Sequence, residues 1–142
     1  MQVQDIMSSN VISISPEESA SLAARLLNRY NIGALPVCSA GQVLQGILTD
    51  RDIVMRCIAA DEPPERTLVR DIMTRNVIVV PPEDDVRSAT RLMAAKQVRR
   101  LPVVSEGKLV GMLSLGDMAQ SQRFEMEISK AFADISANIR RR

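Results

Sequence analysis

The chain contains one sequence pattern twice, and this repeat limits its fold more than any other feature. Three segments recur in the same order, with their apolar, proline, glycine or acidic positions retained. The matching pairs are Asp5–Ile12 with Asp71–Ile78, Leu35–Val37 with Leu101–Val103, and Gly46–Asp52 with Gly111–Asp117. Two copies are too few for an open solenoid, which needs at least about three units to bury a continuous core. We therefore predict two related halves around a pseudo-two-fold axis, with a cleft on that axis as the place to seek function.

Each copy begins with the pattern of a strand followed by a helix. The β-branched runs Val11–Ile14 and Val77–Val80 predict short strands. Proline closes each run, at Pro16 and at Pro81–Pro82, and acidic residues follow. Because proline presets the backbone φ angle and carboxylates oppose the helix dipole, we expect a helix to begin directly after each proline.

A hairpin and a second helix complete each copy. Pro36 and Pro102, each within the first strand of a hairpin, predict edge positions because proline cannot donate a hydrogen bond to a neighbouring strand. We expect the second helices to begin at about Asp50 and about Leu115. The predicted hairpin strands are Ala34–Cys38 and Val43–Leu48, then Leu101–Val104 and Leu109–Leu113, with turns at Gly41 and Gly107.

The predicted fold class is mixed α/β (α+β). Two pseudo-two-fold-related β-α-β-β-α repeats are expected to form one compact module, with an extended C-terminal helix. A chain of 142 residues buries about 68–70% of its unfolded surface in a module of this kind. The predicted boundaries are residues 1–62 for the first repeat, 63–70 for a linker, 71–120 for the second repeat and 121–142 for an amphipathic C-terminal helix.

The last segment carries an apolar stripe at helical spacing. Its members are Phe124, Ile128, Ala131, Phe132, Ile135 and Ile139. Such a stripe must be covered, either by the core of its own chain or by a second chain, and the sequence does not choose between these alternatives.

Composition argues against several classes of function. The net charge of +1 and the scarcity of aromatic residues offer little to attract or stack a nucleic acid. The chain has no run of about 20 apolar residues that would span a membrane. It has no histidine, which removes Ser-His-Asp triads and HExxH zinc sites, so we expect neither an enzyme nor a metal site. Cys38 and Cys57 are expected to be buried apolar residues of a reduced, cytoplasmic protein, although a disulfide between them stays open.

Two turns carry the motif Ser/Thr-x-x-Asp, namely Thr49–Asp52 and Ser114–Asp117. One interpretation is a capping box, in which the hydroxyl and the carboxylate each accept a hydrogen bond from a backbone N–H at the start of a helix. The other interpretation is a ligand site. Free N–H groups and the helix dipole would then favour a phosphate, while the carboxylate accepts both hydroxyls of a ribose. The local sequence favours the capping box.

The whole repeat, with its motifs DIM, LPV and G-h-L-[TS]-x-x-D (h is apolar), resembles the CBS (cystathionine β-synthase) domain. The tandem is similar to a Bateman module, a pair of CBS domains. This resemblance implies a cleft that binds an adenosine ligand such as AMP, ADP, ATP or S-adenosylmethionine, and it leaves open whether Mg²⁺ accompanies a triphosphate. It also implies regulation of a partner protein of unknown identity, and pairing of two copies into a disc-shaped homodimer.

The resemblance further implies two ligand sites. In the family, the [TS]-x-x-D turn of one repeat contacts ribose and phosphate, while the first strand and the segment before LPV of the other repeat surround the base and phosphate. The first predicted site contains Thr49, Arg51, Asp52, Asn76, Val77, Ile78, Val98, Arg99 and Arg100. The second predicted site contains Asn10, Val11, Ile12, Ile32, Gly33, Ala34, Ser114 and Asp117.

The two predicted sites differ in charge. The first has Arg51, Arg99 and Arg100, so a phosphate is expected to occupy it first. The positions equivalent to these arginines are Gly116, Gly33 and Ala34. Taken alone, arginines at a strand edge are typical of a solvated surface that prevents sheet-to-sheet association. Placed opposite the Thr49 turn by the resemblance, they favour a phosphate contact.

The sequence therefore predicts a regulatory module that binds an adenine nucleotide and signals energy or nucleotide status. The alternative is a structural dimerisation module with vestigial clefts. A weak nucleotide hydrolase is disfavoured, because the chain has no histidine and shows neither a metal-ligand cluster nor a Walker-type glycine loop.

Overall fold

A computed structural model describes residues 1–119 and 125–140 of the chain. Its mixed helices and strands, with a helix at the C-terminal end, confirm the predicted fold class. The helices are α1 Ala20–Tyr30, α2 Asp50–Ile53, α3 Val69–Ile72, α4 Val86–Lys96, α5 Leu115–Ala119 and α6 Glu125–Arg140. The strands are β1 Ala34–Ser39, β2 Val43–Thr49, β3 Arg100–Ser105 and β4 Lys108–Ser114. Helix α2 continues as a π-helical turn, Val54–Ile58.

The described residues group into two compact units, and each unit mixes the two sequence repeats. The first unit contains residues 12–77 and 107–109, and the second contains residues 1–11, 78–106, 110–119 and 125–140. The DIM motif of the first repeat therefore belongs to the second unit, while the DIM motif of the second repeat belongs to the first unit. Each motif thus packs with the hairpin of the other repeat.

The segment Val11–Ile14 is not a strand, contrary to the sequence prediction, and forms one parallel bridge with β1. Ile14 donates to the carbonyl of Pro36 at 3.0 Å and accepts from the N–H of Cys38 at 2.9 Å. Extension of this ladder in one direction would need an N–H from Pro36, and in the other direction an N–H from Pro16. Proline has none, so the pairing stops after one residue. Among the described strands, β1 otherwise pairs only with β2, which confirms its predicted edge position.

The predicted strand Val77–Val80 is also reduced to one bridge, formed by Val80 with Val103 in the second unit. Val80 donates to the carbonyl of Pro102 at 3.1 Å and accepts from the N–H of Val104 at 2.9 Å. The next hydrogen bonds would need N–H groups at Pro102 and Pro82, so the same chemistry ends the pairing.

Helices α1 and α4 begin later than the sequence predicts. α1 starts at Ala20, where the Ser19 side chain caps it by accepting from a backbone N–H. The carbonyls of Pro16 and Glu18 instead accept hydrogen bonds from the backbone of residues 69–70. α4 has the same arrangement, with Asp85 as its N-cap and the carbonyls of Pro82 and Asp84 bonded to Gln4 and Val3. The proline-acid segments are therefore turns whose carbonyls bond to a segment of the other repeat, and the helices start after these turns.

Each unit has its own apolar core. The first core contains Ile14, Ala20, Ala23, Leu27, Leu35, Val37, Leu48, Ile53, Cys57, Val69, Ile72 and Met73. The second contains Val3, Val80, Val86, Ala89, Met93, Leu101, Val103, Leu113, Leu115, Met118, Ala131 and Ile135. Cys38 and Cys57 are both buried free thiols, as predicted, and burial raises the pKa of the Cys38 thiol.

Helix α6 packs against α4 in the second unit. Ala131 and Ile135 are buried in the core of that unit, so part of the predicted stripe is covered by its own chain. Phe132 of the same stripe is 40% exposed. Phe124 and the side chains of Ile128 and Ile139 lie outside the described residues.

A close backbone crossing in each unit requires glycine. In the first unit Gly46 lies against Thr74, and a Cβ added to Gly46 would be 2.6 Å from the Thr74 carbonyl oxygen. The neighbouring residue Ile47 exchanges two hydrogen bonds with Thr74, at 2.9 and 2.8 Å. In the second unit a Cβ on Gly111 would be 2.9 Å from the Ser8 carbonyl oxygen. The repeated glycine therefore allows the DIM segment to bond directly to the hairpin.

We predict that Gly46→Ala and Gly111→Ala each lower the free energy of unfolding by about 1–3 kcal/mol, because the added methyl group forces two backbones apart. Urea unfolding measures the loss. Gly116→Ala is the matched control, since the nearest heavy atom to its Cβ would be Ser114 Oγ at 3.6 Å. Equal stability of Gly46→Ala and the control would contradict the prediction.

Candidate functional site

The turn between β2 and α2 is a capping box. Thr49 Oγ1 accepts from the N–H of Asp52 at 3.1 Å, and Asp52 Oδ2 accepts from the N–H of Thr49 at 3.0 Å. Asp52 is only 7% exposed, and it is one of two buried polar side chains among the described residues. The capping-box interpretation is therefore confirmed as the local structure of this turn.

The other N–H groups at the start of α2 also have partners. Arg51 N–H donates to Asp50 Oδ1 at 2.8 Å, and Asp50 N–H donates to the carbonyl of Gly33 at 3.1 Å. Without a ligand, the N–H groups at the start of α2 are therefore bonded within the protein, and phosphate binding at this turn stays a prediction.

Asp52 has two further contacts that the sequence analysis missed. Thr74 Oγ1 donates to Asp52 Oδ2 at 3.4 Å, and Arg56 Nη1 lies 3.4 Å from Asp52 Oδ1. The same Arg56 nitrogen donates to the carbonyl of Ile72 at 3.0 Å. The spacing of Asp52 and Arg56, four residues apart in a helix, was a signal for this ion pair. No local pattern indicated Thr74, because it comes from a distant segment.

The turn between β4 and α5 has the same cap. Asp117 Oδ2 accepts from the N–H of Ser114 at 3.1 Å, and Ser114 Oγ accepts from the N–H of Asp117 at 3.0 Å. Leu115 N–H donates to the carbonyl of Arg99 at 3.1 Å, which matches the contact between Asp50 and Gly33. Leu115 has no carboxylate, so this turn lacks the side-chain acceptor that Asp50 offers to Arg51.

In each unit, the segment before LPV lies beside the turn of its own repeat. Gly33 bonds to the Thr49 turn through Asp50, and Ala34 is the β-partner of Thr49. Arg99 bonds to the Ser114 turn in the same way, through its backbone carbonyl. These contacts fix the backbone positions of the predicted site residues within each unit.

The residues of each predicted site are divided between the two units. The first unit contains Thr49, Arg51, Asp52, Asn76 and Val77 of the first site, and Ile12, Ile32, Gly33 and Ala34 of the second. The second unit contains Ile78, Val98, Arg99 and Arg100 of the first site, and Asn10, Val11, Ser114 and Asp117 of the second. Their assembly into two ligand sites stays a prediction.

Two other properties bear on function. In residues 1–119 and 125–140, no three Cys, His, Asp or Glu side chains are grouped so that they could hold a metal ion. Over the same described ranges, no helix combines the length and the apolar composition needed to cross a bilayer.

We predict that Asp52→Ala destabilises the protein more than Asp117→Ala. Loss of the cap alone should cost about 1 kcal/mol in either variant. Asp52→Ala also removes the acceptor of Thr74 and Arg56, which should add about 1 kcal/mol, with a small contribution from half-exposed Arg56. Urea unfolding of both variants, with exposed Glu65→Ala as the control, checks this order. Equal losses at Asp52 and Asp117 would show that the extra contacts contribute nothing.

Residues 3–58 and 69–123 each match the CBS domain family. The chain is 38% identical over 134 residues to the CBS domain-containing protein YhcV of Bacillus subtilis, and the match covers 94% of both sequences. A crystal structure of hypoxic response protein I with two coordinated zinc ions is similar in fold, with a TM-score of 0.79 and 33% identity. It covers 85% of this chain and 98% of that one.

A hexameric CBS-CP12 protein from bloom-forming cyanobacteria gives a TM-score of 0.74 at 30% identity, over 89% of this chain and 73% of that one. These comparisons agree with the repeated motifs of the sequence and with the hairpin found in each repeat. The chain therefore belongs to the CBS domain family and consists largely of a tandem pair of CBS repeats.

Proposed function

We propose that this tandem CBS chain is a regulatory module that binds an adenine nucleotide and passes that signal to a partner protein. The observation that carries the proposal is the Ser/Thr-x-x-Asp turn, built with the same geometry in both units of a chain that belongs to the CBS family. CBS domains in general bind adenosine ligands. The proposed ligand is AMP, ADP, ATP or S-adenosylmethionine, with Mg²⁺ as the counterion of a triphosphate.

In the proposed first site, different residues bind the ribose, the phosphate and the base of the nucleotide. Asp52 accepts the hydroxyls of the ribose. Arg51, Arg99 and Arg100, all exposed, provide charge-assisted hydrogen bonds to the phosphate, which are roughly twice as strong as neutral ones. Thr49 contacts the ribose and phosphate together with Asp52. The remaining members of the first site surround the base and phosphate, and these are Asn76, Val77, Ile78 and Val98.

The proposed second site has fewer cations. Its turn, Ser114–Asp117, contains Gly116 at the position of Arg51 in the first site. Its segment before LPV contains Gly33 and Ala34 at the positions where the first site has arginines. We propose that nucleotides occupy the first site before the second, with Asn10, Val11, Ile12 and Ile32 completing the second site.

A structural dimerisation module is the second candidate function. It is favoured by the capping geometry, because both aspartates already stabilise helix starts without any ligand. Under this alternative, the clefts are vestigial and the pairing of two chains is the whole function.

We place the protein in the cytoplasm, and we propose that it is not an enzyme. Two buried free thiols suit a reducing compartment. Without histidine, the chain has none of the imidazole groups on which most acid-base and zinc hydrolysis depends.

We predict that AMP binds more tightly than adenosine, at one molecule per chain before any second site fills. Arg99→Ala and Arg100→Ala should each raise the Kd of AMP by about five- to tenfold and the Kd of adenosine much less, because only the phosphate needs the cation. Calorimetric titration measures both affinities, and Arg66→Ala, also exposed, is the control for net charge.

A thermal-shift panel separates the two candidate functions. A ligand at a hundredfold over its Kd adds about 2.7 kcal/mol of stability. Unchanged melting with AMP, ADP, ATP and S-adenosylmethionine would favour the structural module, and two equal sites per chain would contradict the charge argument.

We also propose that two copies pair into a homodimer through the π-helical turn after α2. Val54, Met55 and Ile58 lie on this turn, and each is more than half exposed. A two-fold axis would bring the same apolar patch of two chains together, which is the commonest form of pairing. The hexameric CBS-CP12 protein supports the idea that this fold assembles.

We predict that Val54→Asp with Ile58→Asp turns a dimer into a monomer, because two charges would be buried at the interface. Light scattering measures the mass, and melting shows whether the variant still folds. Phe132→Asp, on another exposed apolar side chain, is the matched control and should stay dimeric. Dissociation by Phe132→Asp alone would place the interface on α6 instead.

A further inference from the structure

The carboxylate of Asp52 already receives three hydrogen bonds or ion contacts from its own unit. Oδ2 accepts from Thr49 N–H at 3.0 Å and from Thr74 Oγ1 at 3.4 Å. Oδ1 lies 3.4 Å from Arg56 Nη1. A carboxylate offers about four acceptor positions in total. The two hydrogen bonds take the positions of Oδ2, so the free positions are on Oδ1, against which Arg56 lies. A vicinal diol donates two hydroxyls, and both must then approach Oδ1 beside the guanidinium.

The three donors are not equally easy to displace. Thr49 N–H is part of the backbone at the helix start, and Thr74 is held beside Ile47 by two backbone hydrogen bonds of 2.9 and 2.8 Å. Arg56 is held by its side chain alone, which is 50% exposed. Water can replace the contacts of an exposed guanidinium, and for this reason exposed ion pairs contribute little free energy.

We propose that Arg56 is the donor that a ribose diol displaces from Asp52, so that Arg56 sets how strongly this turn distinguishes a ribose from a deoxyribose. Arg56 touches no ligand in this scheme. It acts through Asp52, because its guanidinium lies against Oδ1, the carboxylate oxygen that both hydroxyls must approach. The inference rests on the proposed function, because it assumes that a nucleoside ligand reaches Asp52.

The contacts of Arg56 give the displacement a structural consequence. A single nitrogen, Nη1, contacts Asp52 and also donates to the Ile72 carbonyl at 3.0 Å and to Thr74 Oγ1 at 3.5 Å. A diol at Asp52 therefore competes with a guanidinium that also bonds to the segment carrying the second DIM motif.

The test compares AMP with 2′-deoxy-AMP by calorimetric titration of the full chain. The measured quantity is the Kd of 2′-deoxy-AMP divided by the Kd of AMP, which gives the preference for ribose. Removing the competing cation with Arg56→Ala should raise this preference for ribose by up to about fivefold, the range that exposed ion pairs contribute. Arg56→Gln should act in the same direction, because it is neutral but can still donate to the Ile72 carbonyl. Arg56→Lys keeps the charge and should keep the ratio near that of the wild type.

Two controls make the result specific. Arg25→Ala removes one exposed positive charge from α1 of the same unit and should leave the ratio unchanged. Asp52→Asn should bring the ratio close to one, with or without Arg56, because the charged acceptor is gone. The Gln and Lys variants still decide the question if Arg56→Ala does not fold.

Three outcomes would overturn the inference. If the Ala and Gln variants lose affinity for both ligands equally, Arg56 only positions the turn, and the displacement idea fails while the proposed function stands. If the ratio rises equally in Arg56→Lys, the charge is not the competitor. If no adenosine ligand binds the wild type or any variant, the proposed function fails, and the inference fails with it.

Discussion

The close crossing of two backbones at Gly46 and at Gly111 is the constraint on which the rest of the structure depends. Only a residue without a Cβ lets the DIM segment approach near enough to exchange hydrogen bonds with the hairpin. Each hairpin receives the DIM segment of the other repeat, so the two cores share residues from both copies. Neither repeat therefore has a complete core of its own, and the tandem, not the single repeat, is the folding unit.

The two Ser/Thr-x-x-Asp turns use each aspartate to cap a helix, and the proposed ligand site would use the same carboxylate. Asp52 caps a helix, accepts from Thr74 and pairs with Arg56, so its position is set by three separate parts of the first unit. A buried carboxylate held in this way is already oriented, and a ligand that uses it does not have to order it. The cost is a reduced number of free acceptor positions, which any diol must share with the protein.

Local patterns predicted much of the fold because they reflect interactions between near neighbours. The hairpins, the glycine turns with φ of 76° and 78°, and the capping boxes all follow from residues a few positions apart. The failures come from distant partners. The strand at Val11–Ile14 was lost because its neighbour contains Pro36, and helix α1 starts late because residues 69–70 bond to the turn before it.

The sequence by itself determined that the chain is a repeat, which family it resembles, and which residue types the two turns contain. The tertiary structure alone decided which DIM segment each hairpin binds, that the N–H groups of the Thr49 turn are already bonded, and that Arg56 contacts both Asp52 and Ile72. The reason is physical. The two DIM segments have nearly the same sequence, so either of them could bond to either hairpin. Only the path of the chain in three dimensions decides which copy lies within hydrogen-bonding distance.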